Sequence, residues 1–369
     1  MCGIAGVYSF KGKYNLKSIN NQKILKSINH RGPDDSGSIL INNTILFNTR
    51  LAIQDLTSNA KMPLKSLNAN IWISFNGEIY NSPNLREELI KKGYKFKSSS
   101  DTEVVVNSFL EWGIRSFSKL NGIFAFSILD VEREELYIVR DKVGIKPLIY
   151  YHDNEKLIFS SELDTIIKTD LKNVNLSKDL QSINQYFIFG NIPSPYSPFL
   201  KIKKLNPGNY IQIKKNKFTI NKYSEFNFSY NNKNNNKNAV DDLDKILSKS
   251  VEDQMLSDAP LGVFLSGGVD SSIISYYASK AKNNIQSFSL GYDDKKFNES
   301  NHAKEVAKYL HTNHNEIILS NKDYSNEIDE TMGNFDEPFY DSSSIPTNIL
   351  SKYAKEKVKV VLSGDGADE

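Results

Sequence analysis

Leu261-Gly-Val-Phe-Leu-Ser-Gly-Gly-Val-Asp-Ser-Ser-Ile-Ile-Ser-Tyr-Tyr-Ala-Ser-Lys-Ala281 reads as a strand, a glycine turn and a helix. The apolar run Leu261–Leu265 predicts a short buried strand, and Ser271–Ala281 predicts a helix. Between them, the glycines of Ser266-Gly-Gly-Val-Asp-Ser-Ser272 let the backbone approach a polyanion, and the helix N-terminus favours negative charge. A phosphate cradle is one reading, and a plain glycine turn with Asp270 as a helix cap is the other. No Gly-x-x-x-x-Gly-Lys string followed by Ser or Thr is present, so the loop is not the common P-loop.

Working outward, Val240, Leu243, Ile246, Leu247 and Val251 share one helical face. Downstream come a strand Ile285–Leu290, a helix through Val306 and Leu310, and a strand Lys357–Leu362. Strands separated by helices predict a parallel, doubly wound sheet for this half. The polar run from Tyr230 to Asn238 cannot bury a face and marks a linker. Upstream, β-rich runs at 2–9, 71–76, 121–130, 135–140, 147–151 and 157–160 enclose two helices. One is opened by Ser82 and Pro83 and ends near Gly93, and the other spans Asp101 to Trp112. The first half is therefore expected to be α+β. The expected division is 1–210, a connecting segment 211–239, and 240–369.

A chain of 369 residues exceeds one ordinary core. Forty-six basic against 44 acidic residues create no field for nucleic acid or anionic lipid, and no apolar run approaches the roughly 18–20 residues of a membrane span. Small-molecule partners are expected, without nucleic acid or membrane. The start, Met-Cys-Gly-Ile-Ala-Gly-Val, lacks a basic n-region, so a cytoplasmic location is expected. A single cysteine rules out an intrachain disulfide and a multi-cysteine zinc site.

That cysteine directly follows Met1. With Met1 removed, Cys2 would carry a thiol and, as its base, a free α-amine, a group that ordinarily titrates at about 7.7–8.0. Attack on a carboxamide creates an oxyanion, for which Asn76 and Gly77 could supply a side-chain amide and an unhindered N–H. Arg50 could clamp the α-carboxylate of a glutamine and Asp101 could pair with its ammonium. Each has a dull alternative: a solvated arginine, an Asn-Gly turn, a helix cap.

The ordered set Cys2-Gly-Ile-Ala-Gly, His30-Arg-Gly-Pro-Asp34, Arg50-Leu-Ala-Ile53, Asn76-Gly-Glu-Ile-Tyr-Asn81, Ser100-Asp-Thr-Glu103 and Arg140-Asp-Lys-Val-Gly-Ile-Lys-Pro147 resembles the motifs of class II glutamine amidotransferases in the asparagine synthetase branch. The likeness covers nearly all of residues 2–210. It implies an N-terminal-nucleophile hydrolase fold, two stacked sheets between helices. It also implies catalysis by Cys2, Asn76 and Gly77, and glutamine binding by Arg50, Leu51, Ala52, Ile53, Gln54, Asn76, Gly77, Glu78 and Asp101.

Phe288-Ser-Leu-Gly291, Asp336-Glu-Pro-Phe-Tyr-Asp-Ser-Ser343 and Ser363-Gly-Asp-Gly-Ala-Asp-Glu369 follow the glycine turn and resemble the synthetase domain of the same family. The resemblance implies ATP split between its α- and β-phosphates, an adenylated aspartate, and ammonia from glutamine displacing AMP, with a related amide ligase acting on another carboxylate, such as a sugar acid, or a glutaminase without synthesis as the alternatives. It carries over an ATP site of Leu265, Ser266, Gly267, Gly268, Asp270, Ser271, Ser272, Leu290, Ser363 and Gly364. Mg²⁺ would sit on Asp270 and Asp368. Asp365 stands where many asparagine synthetases have glutamate, beside the adenylate. The family continues beyond the position of Glu369 with a mostly helical segment, so this half is expected to be incomplete. A homodimer is left open. His311 and His314 are expected to be solvated, and His30 to be structural.

Overall fold

The computed structural model describes residues 1–169, 171, 173–226, 239–294, 298 and 300–367. The expected linker from Tyr230 to Asn238 and the expected Mg²⁺ ligand Asp368 lie outside them. The chain divides into two compact units, Met1–Asn227 with Asp336–Tyr340, and Phe228–Phe335 with Asp341–Glu369.

The first unit is built on two antiparallel six-stranded sheets. One contains β1 (Gly3–Ser9), β2 (Asp35–Ile41), β3 (Thr44–Arg50), β8 (Ile149–His152), β9 (Lys156–Ser160) and β10 (Ile202–Lys204), in the order β10-β8-β9-β1-β3-β2. The other contains β4 (Leu64–Lys65), β5 (Ile71–Ile79), β6 (Gly122–Asp130), β7 (Glu135–Arg140), β11 (Asn209–Lys214) and β12 (Lys217–Lys222), in the order β12-β11-β7-β6-β5-β4. Helices α1 (Asn21–Ile28) and α5 (Leu163–Lys168) belong with the first sheet. Helices α2 (Ser82–Lys91), α3 (Asp101–Trp112) and α4 (Ser116–Lys119) belong with the second, and α6 (Leu180–Phe189) follows α5 in sequence.

Strand alternation sorts the side chains into layers. Ile4 and Tyr8 of β1 join Leu129, Ile138 and Ile211 of the other sheet in one buried cluster between the sheets. Ala5 and Val7 point the other way, against Ile24 and Ile28 of α1 and Ile166 of α5. Phe75 and Phe126 pack with Leu85, Leu89, Val104 and Phe109 of α2 and α3. The result is helix, sheet, sheet, helix, the N-terminal-nucleophile hydrolase arrangement. At about 2–3 kcal/mol for each fully buried large apolar side chain, these three layers hold the unit together.

The unit runs on past Tyr210, where the expected boundary fell. β11 pairs with β7 and turns back into β12 through Lys215 and Asn216, both at positive φ. The hairpin β2–β3, turning at Asn42 with φ 50°, was likewise not expected. Asp336 Oδ2 accepts the N–H groups of Leu163 and Asp164, which places 336–340 with this unit.

In the second unit, β13 (Leu261–Phe264), β14 (Gln286–Tyr292), β15 (Asn313–Leu319) and β16 (Val360–Leu362) form a parallel sheet ordered β15-β14-β13-β16. Its helices are α7 (Ala239–Gln254), α8 (Val269–Ala281), α9 (Ser300–Tyr309), α10 (Asn321–Gly333) and α11 (Ser344–Lys355). The chain winds outward from β13 to β15 and returns to the far side of β13. The strand order therefore reverses at β13 and β16, where a ligand crevice is expected at the carboxyl ends. Among the described residues, no helix is long and apolar enough to cross a membrane.

Candidate active sites

Cys2 immediately precedes β1, is 8% exposed, and its Sγ donates to the Leu51 carbonyl at 3.8 Å. Burial pushes the thiol up, and the chain's α-amine and the Leu51 contact work against that. The amine itself is held down at about 6, mainly by burial. A small, half-open cavity of about 20 Å³ beside Cys2 is lined by Arg50, Leu51, Ile53, Gln54, Gly77, Glu78 and Asp101, with Ala60, Met62, Phe75, Ser100 and Thr102. Among the expected glutamine contacts, Ala52 and Asn76 are not part of that wall. The Ala52 N–H is spent on Asp34 Oδ2 at 2.9 Å.

Asn76 lies on β5 opposite Ala125 and is fully buried. The pleat turns it to the opposite face from Phe75 and Gly77. Among the described residues neither its Nδ2 nor its Oδ1 has a hydrogen-bond partner. Leaving such an amide unsatisfied costs about 1–3 kcal/mol, so β5 carries, next to the wall, a donor that nothing among the described residues uses.

Arg50 is 6% exposed, and its guanidinium is already engaged. Nη1 donates to the Thr57 carbonyl at 3.2 Å, and Nη2 to those of Gln54, at 3.1 Å, and Asp55. The loop after β3 thus fixes the arginine, leaving Nε–H and one Nη1–H for a ligand. The loop is braced in turn by the Asp55 carboxylate, which accepts from Thr57 and from the Ser99 N–H at 2.8 Å.

Asp101 opens α3, is 5% exposed, and accepts the Ile79 N–H at 2.9 Å. Glu78 accepts from Gln54 Nε2 at 2.5 Å. Burial pushes both carboxyls up, and the Asp101 charge pushes Glu78 further. Two acids thus face one cavity.

In the second unit, a cleft of roughly 300 Å³ opens where the strand order reverses. Its wall takes Leu265, Ser266, Gly268, Asp270 and Ser271 from the loop and helix after β13, Ser289 and Leu290 from β14, and Ser363, Gly364 and Asp365 after β16. A Cβ on Gly364 would stand 2.7 Å from the Ser271 nitrogen, so glycine lets the two loops meet. Gly267 and Ser272 are not in the wall. Gly267, with φ 89°, packs its backbone on α9, where a Cβ would meet the Ala303 nitrogen at 2.6 Å. The Ser272 hydroxyl donates back to the Gly268 carbonyl at 2.6 Å. Ser266 and Ser271 join hydroxyls at 2.9 Å, bracing the cradle. Asp365, exposed, is tied to the Ser363 hydroxyl at 3.0 Å. Among the described residues no group of three or more His, Cys, Asp or Glu could hold a metal. Asp270, an exposed carboxylate at the cleft, fits the sparser way Mg²⁺ is held, by one or two carboxylates plus phosphate oxygens.

The histidines divide. His311 is exposed, as expected. His314 is not simply solvated: it lies between the hydroxyls of Ser287, at 2.9 Å, and Ser289, at 3.1 Å, half-buried on β15. The parallel register of β14 and β15 created that pair, which spacing along one segment cannot reveal. His30 is mostly exposed, with Nε2 3.4 Å from Glu162.

Comparison with known proteins assigns a family to each half of the chain. Residues 1–224 match the glutamine amidotransferase domain family, and residues 242–369 match the asparagine synthase family. The chain is 36% identical to asparagine synthetase (glutamine-hydrolyzing) 1 of Bacillus subtilis, over all of this chain and 58% of that protein. It is 35% identical to a Methanocaldococcus jannaschii protein provisionally named asparagine synthetase (glutamine-hydrolyzing) 2, over all of this chain and 75% of that one. Bacillus subtilis asparagine synthetase (glutamine-hydrolyzing) 3 is 28% identical, with 62% of its length covered. The chain therefore spans from somewhat over half to three quarters of these relatives.

Proposed function

Because the chain belongs to the glutamine-hydrolyzing asparagine synthetase family, we propose that it releases ammonia from glutamine at Cys2 and serves its transfer to an aspartate carboxylate activated by ATP. The observation that carries the first half is the fully buried Asn76 amide, without a partner among the described residues, next along β5 to the wall that Cys2 shares with Glu78 and Asp101. A glutamine in this cavity would place its ammonium on the two carboxyls and its carboxylate on the free N–H groups of Arg50. Its side-chain carbonyl would meet the Cys2 sulfur, and the Asn76 amide with the Gly77 N–H would take the charge that develops on oxygen. Water would then release glutamate from the thioester.

For the second half, the cradle formed by Ser266, Gly268 and Ser271 at the start of α8 would hold the phosphates of ATP, with Leu265 and Leu290 beside the adenosine. Asp270 would hold Mg²⁺, which supplies charge neutralisation of the phosphates. The cleft serves adenylation because a carboxylate lacks an adequate leaving group and AMP provides one. Asp365 reaches less far than a glutamate at the position proposed to face the adenylate. Incubating the chain with glutamine, aspartate and ATP, and measuring glutamate, pyrophosphate and asparagine, tests both halves. Glutamate release lost in Cys2→Ala supports the first, and pyrophosphate that depends on aspartate supports the second. The absence of either product contradicts the corresponding half.

A further inference from the structure

Asn48 lies on β3 opposite Ile4 of β1, and it is only 1% exposed. Like Leu46 two residues earlier, it faces the space between the two sheets. Its Nδ2 donates to the Gly3 carbonyl at 3.1 Å and to the Thr49 carbonyl at 3.0 Å, and its Oδ1 accepts the Phe75 N–H at 2.9 Å. Carbonyls only accept and an N–H only donates, so the three partners allow the amide one orientation.

β1 and β3 belong to one sheet and β5 to the other, so a single side chain ties the sheets together. The tie falls at a particular place. Gly3 directly follows Cys2, and Phe75 directly precedes Asn76. Beside it, the Ser74 hydroxyl donates to the Phe47 carbonyl at 3.1 Å, a second link from β5 to β3. Among the described residues, Gly3 and Phe75 each pair with a strand on one side only, since β9 joins β1 from Ala5 onward and β4 joins β5 at Trp72 and Ile73. Apolar packing between sheets is non-directional and leaves their sliding loosely defined, whereas hydrogen bonds of fixed orientation set it. Asn48 is not part of the wall of the cavity beside Cys2, so it acts through the two backbones and not on a ligand there.

We infer that Asn48 is a positioning residue for glutamine hydrolysis, fixing the separation between the nucleophile at the head of β1 and the oxyanion donor on β5. This rests on the proposed glutaminase reading. With Met1 removed, the thiol proton passes to the α-amine of Cys2, the sulfur forms a bond to the carboxamide carbon, and the C=O electron pair moves onto oxygen. The pair returns as the C–N bond breaks and the proton goes to the departing nitrogen, giving a thioester and ammonia. Sulfur and oxyanion are bonded to the same carbon, so the groups that hold them must keep their spacing. Such constellations have to be held within about 0.5 Å, and a displacement of about 1 Å costs on the order of 10²-fold in rate.

The test uses the full chain with Met1 removal verified by intact mass. kcat and KM for glutamine hydrolysis are measured for wild type, Asn48→Ala, Asn48→Asp, Asn76→Ala and the double variant Asn48→Ala with Asn76→Ala, each shown to be folded by melting. Alkylation of Cys2 by iodoacetamide, which forms no oxyanion and labels the single cysteine, is followed in parallel. Asn48→Ala should lower kcat by about 10- to 100-fold with KM within a few-fold, while alkylation stays within about threefold of wild type. In the Asn76→Ala background the same substitution should cost less than about threefold, because a donor that is gone cannot be misplaced. Asn48→Asp keeps the acceptor for the Phe75 N–H and loses the amide donors. Its buried carboxyl, once protonated, can again donate to the Gly3 carbonyl, so its kcat relative to wild type should rise as pH falls from about 8 to about 6. If Asn48→Ala does not fold, Asn48→Asp carries the same cycle with Asn76→Ala. An unchanged kcat in the folded single variants overturns the inference, as do losses that multiply in the double variant or a loss of alkylation equal to that of hydrolysis. Those outcomes leave the glutaminase reading standing, whereas a wild-type chain that alkylates but hydrolyses no glutamine overturns that reading and the inference with it.

Discussion

Glu78 and Asp101 line the same cavity, and burial together with the Asp101 charge holds the Glu78 carboxyl protonated well above the ordinary carboxylate range. Both acids bind protons more tightly folded than unfolded. Their contribution to stability is therefore greatest at low pH and is lost as pH rises from the ordinary carboxylate range through the raised folded values. An ammonium bound between them would favour their ionised forms and release a proton, so glutamine affinity should rise over that same window.

Glu78→Gln removes one of these acids. Its thermal midpoint should exceed that of wild type at pH 8, with the difference vanishing below about pH 4. The KM for glutamine should rise by about tenfold or more, since truncating one partner of a buried charge pair is costly. Melting curves at the two pH values and a glutaminase titration check this; equal midpoints at pH 8 with an unchanged KM would remove Glu78 from the ammonium site.

Asn76→Ala should lower kcat for glutamine hydrolysis by about 10²–10³ while leaving KM within a few-fold, the pattern of a donor used only in the transition state. Since the amide has no partner among the described residues, the cost of the lost volume should be largely offset by removal of an unpaired buried amide, leaving little net change in stability. A parallel rise in KM would place Asn76 in ground-state binding instead.

Arg50→Lys should raise the KM for glutamine by on the order of tenfold, because an ammonium cannot hold the 54–57 loop and also address a carboxylate. Loosening of that loop, read as faster hydrogen exchange at residues 54–57, should accompany it. An unchanged KM would mean that Arg50 serves the loop only.

Gly364→Ala should weaken ATP binding by at least about tenfold and leave glutamine hydrolysis at the wild-type rate, since the added Cβ would collide with the Ser271 nitrogen. Calorimetric titration with ATP and Mg²⁺, beside a glutaminase assay, separates the two. Wild-type ATP affinity in the variant would argue against a nucleotide at this cleft.

Local patterns were readable where the signal was local. Asp101–Trp112 is a helix at the expected bounds, ended by Gly113 at φ 57°. The strand, glycine turn and helix around Ser266 stand where the apolar run and the glycines put them. Pairings that depend on a partner far away in sequence were harder to see. The polar turn residues Asn42 and Asn216 joined strands whose outer faces are only half-buried, so their hydrophobic alternation was weak. Asn76 was identified by type and position, but its lack of any partner is a property of the packed layers. The hydrogen bonds of Asn48 to Gly3 and Phe75 follow from the stacking of the two sheets, which no spacing announces.

The most direct measurement is glutamate release from glutamine by the chain after Met1 removal, compared with Cys2→Ala at equal concentration and with folding verified by melting. The account predicts glutamate and ammonia in equal amounts from the wild type and none above background from Cys2→Ala. Comparable glutamate release by Cys2→Ala would contradict the assignment of Cys2 as the nucleophile.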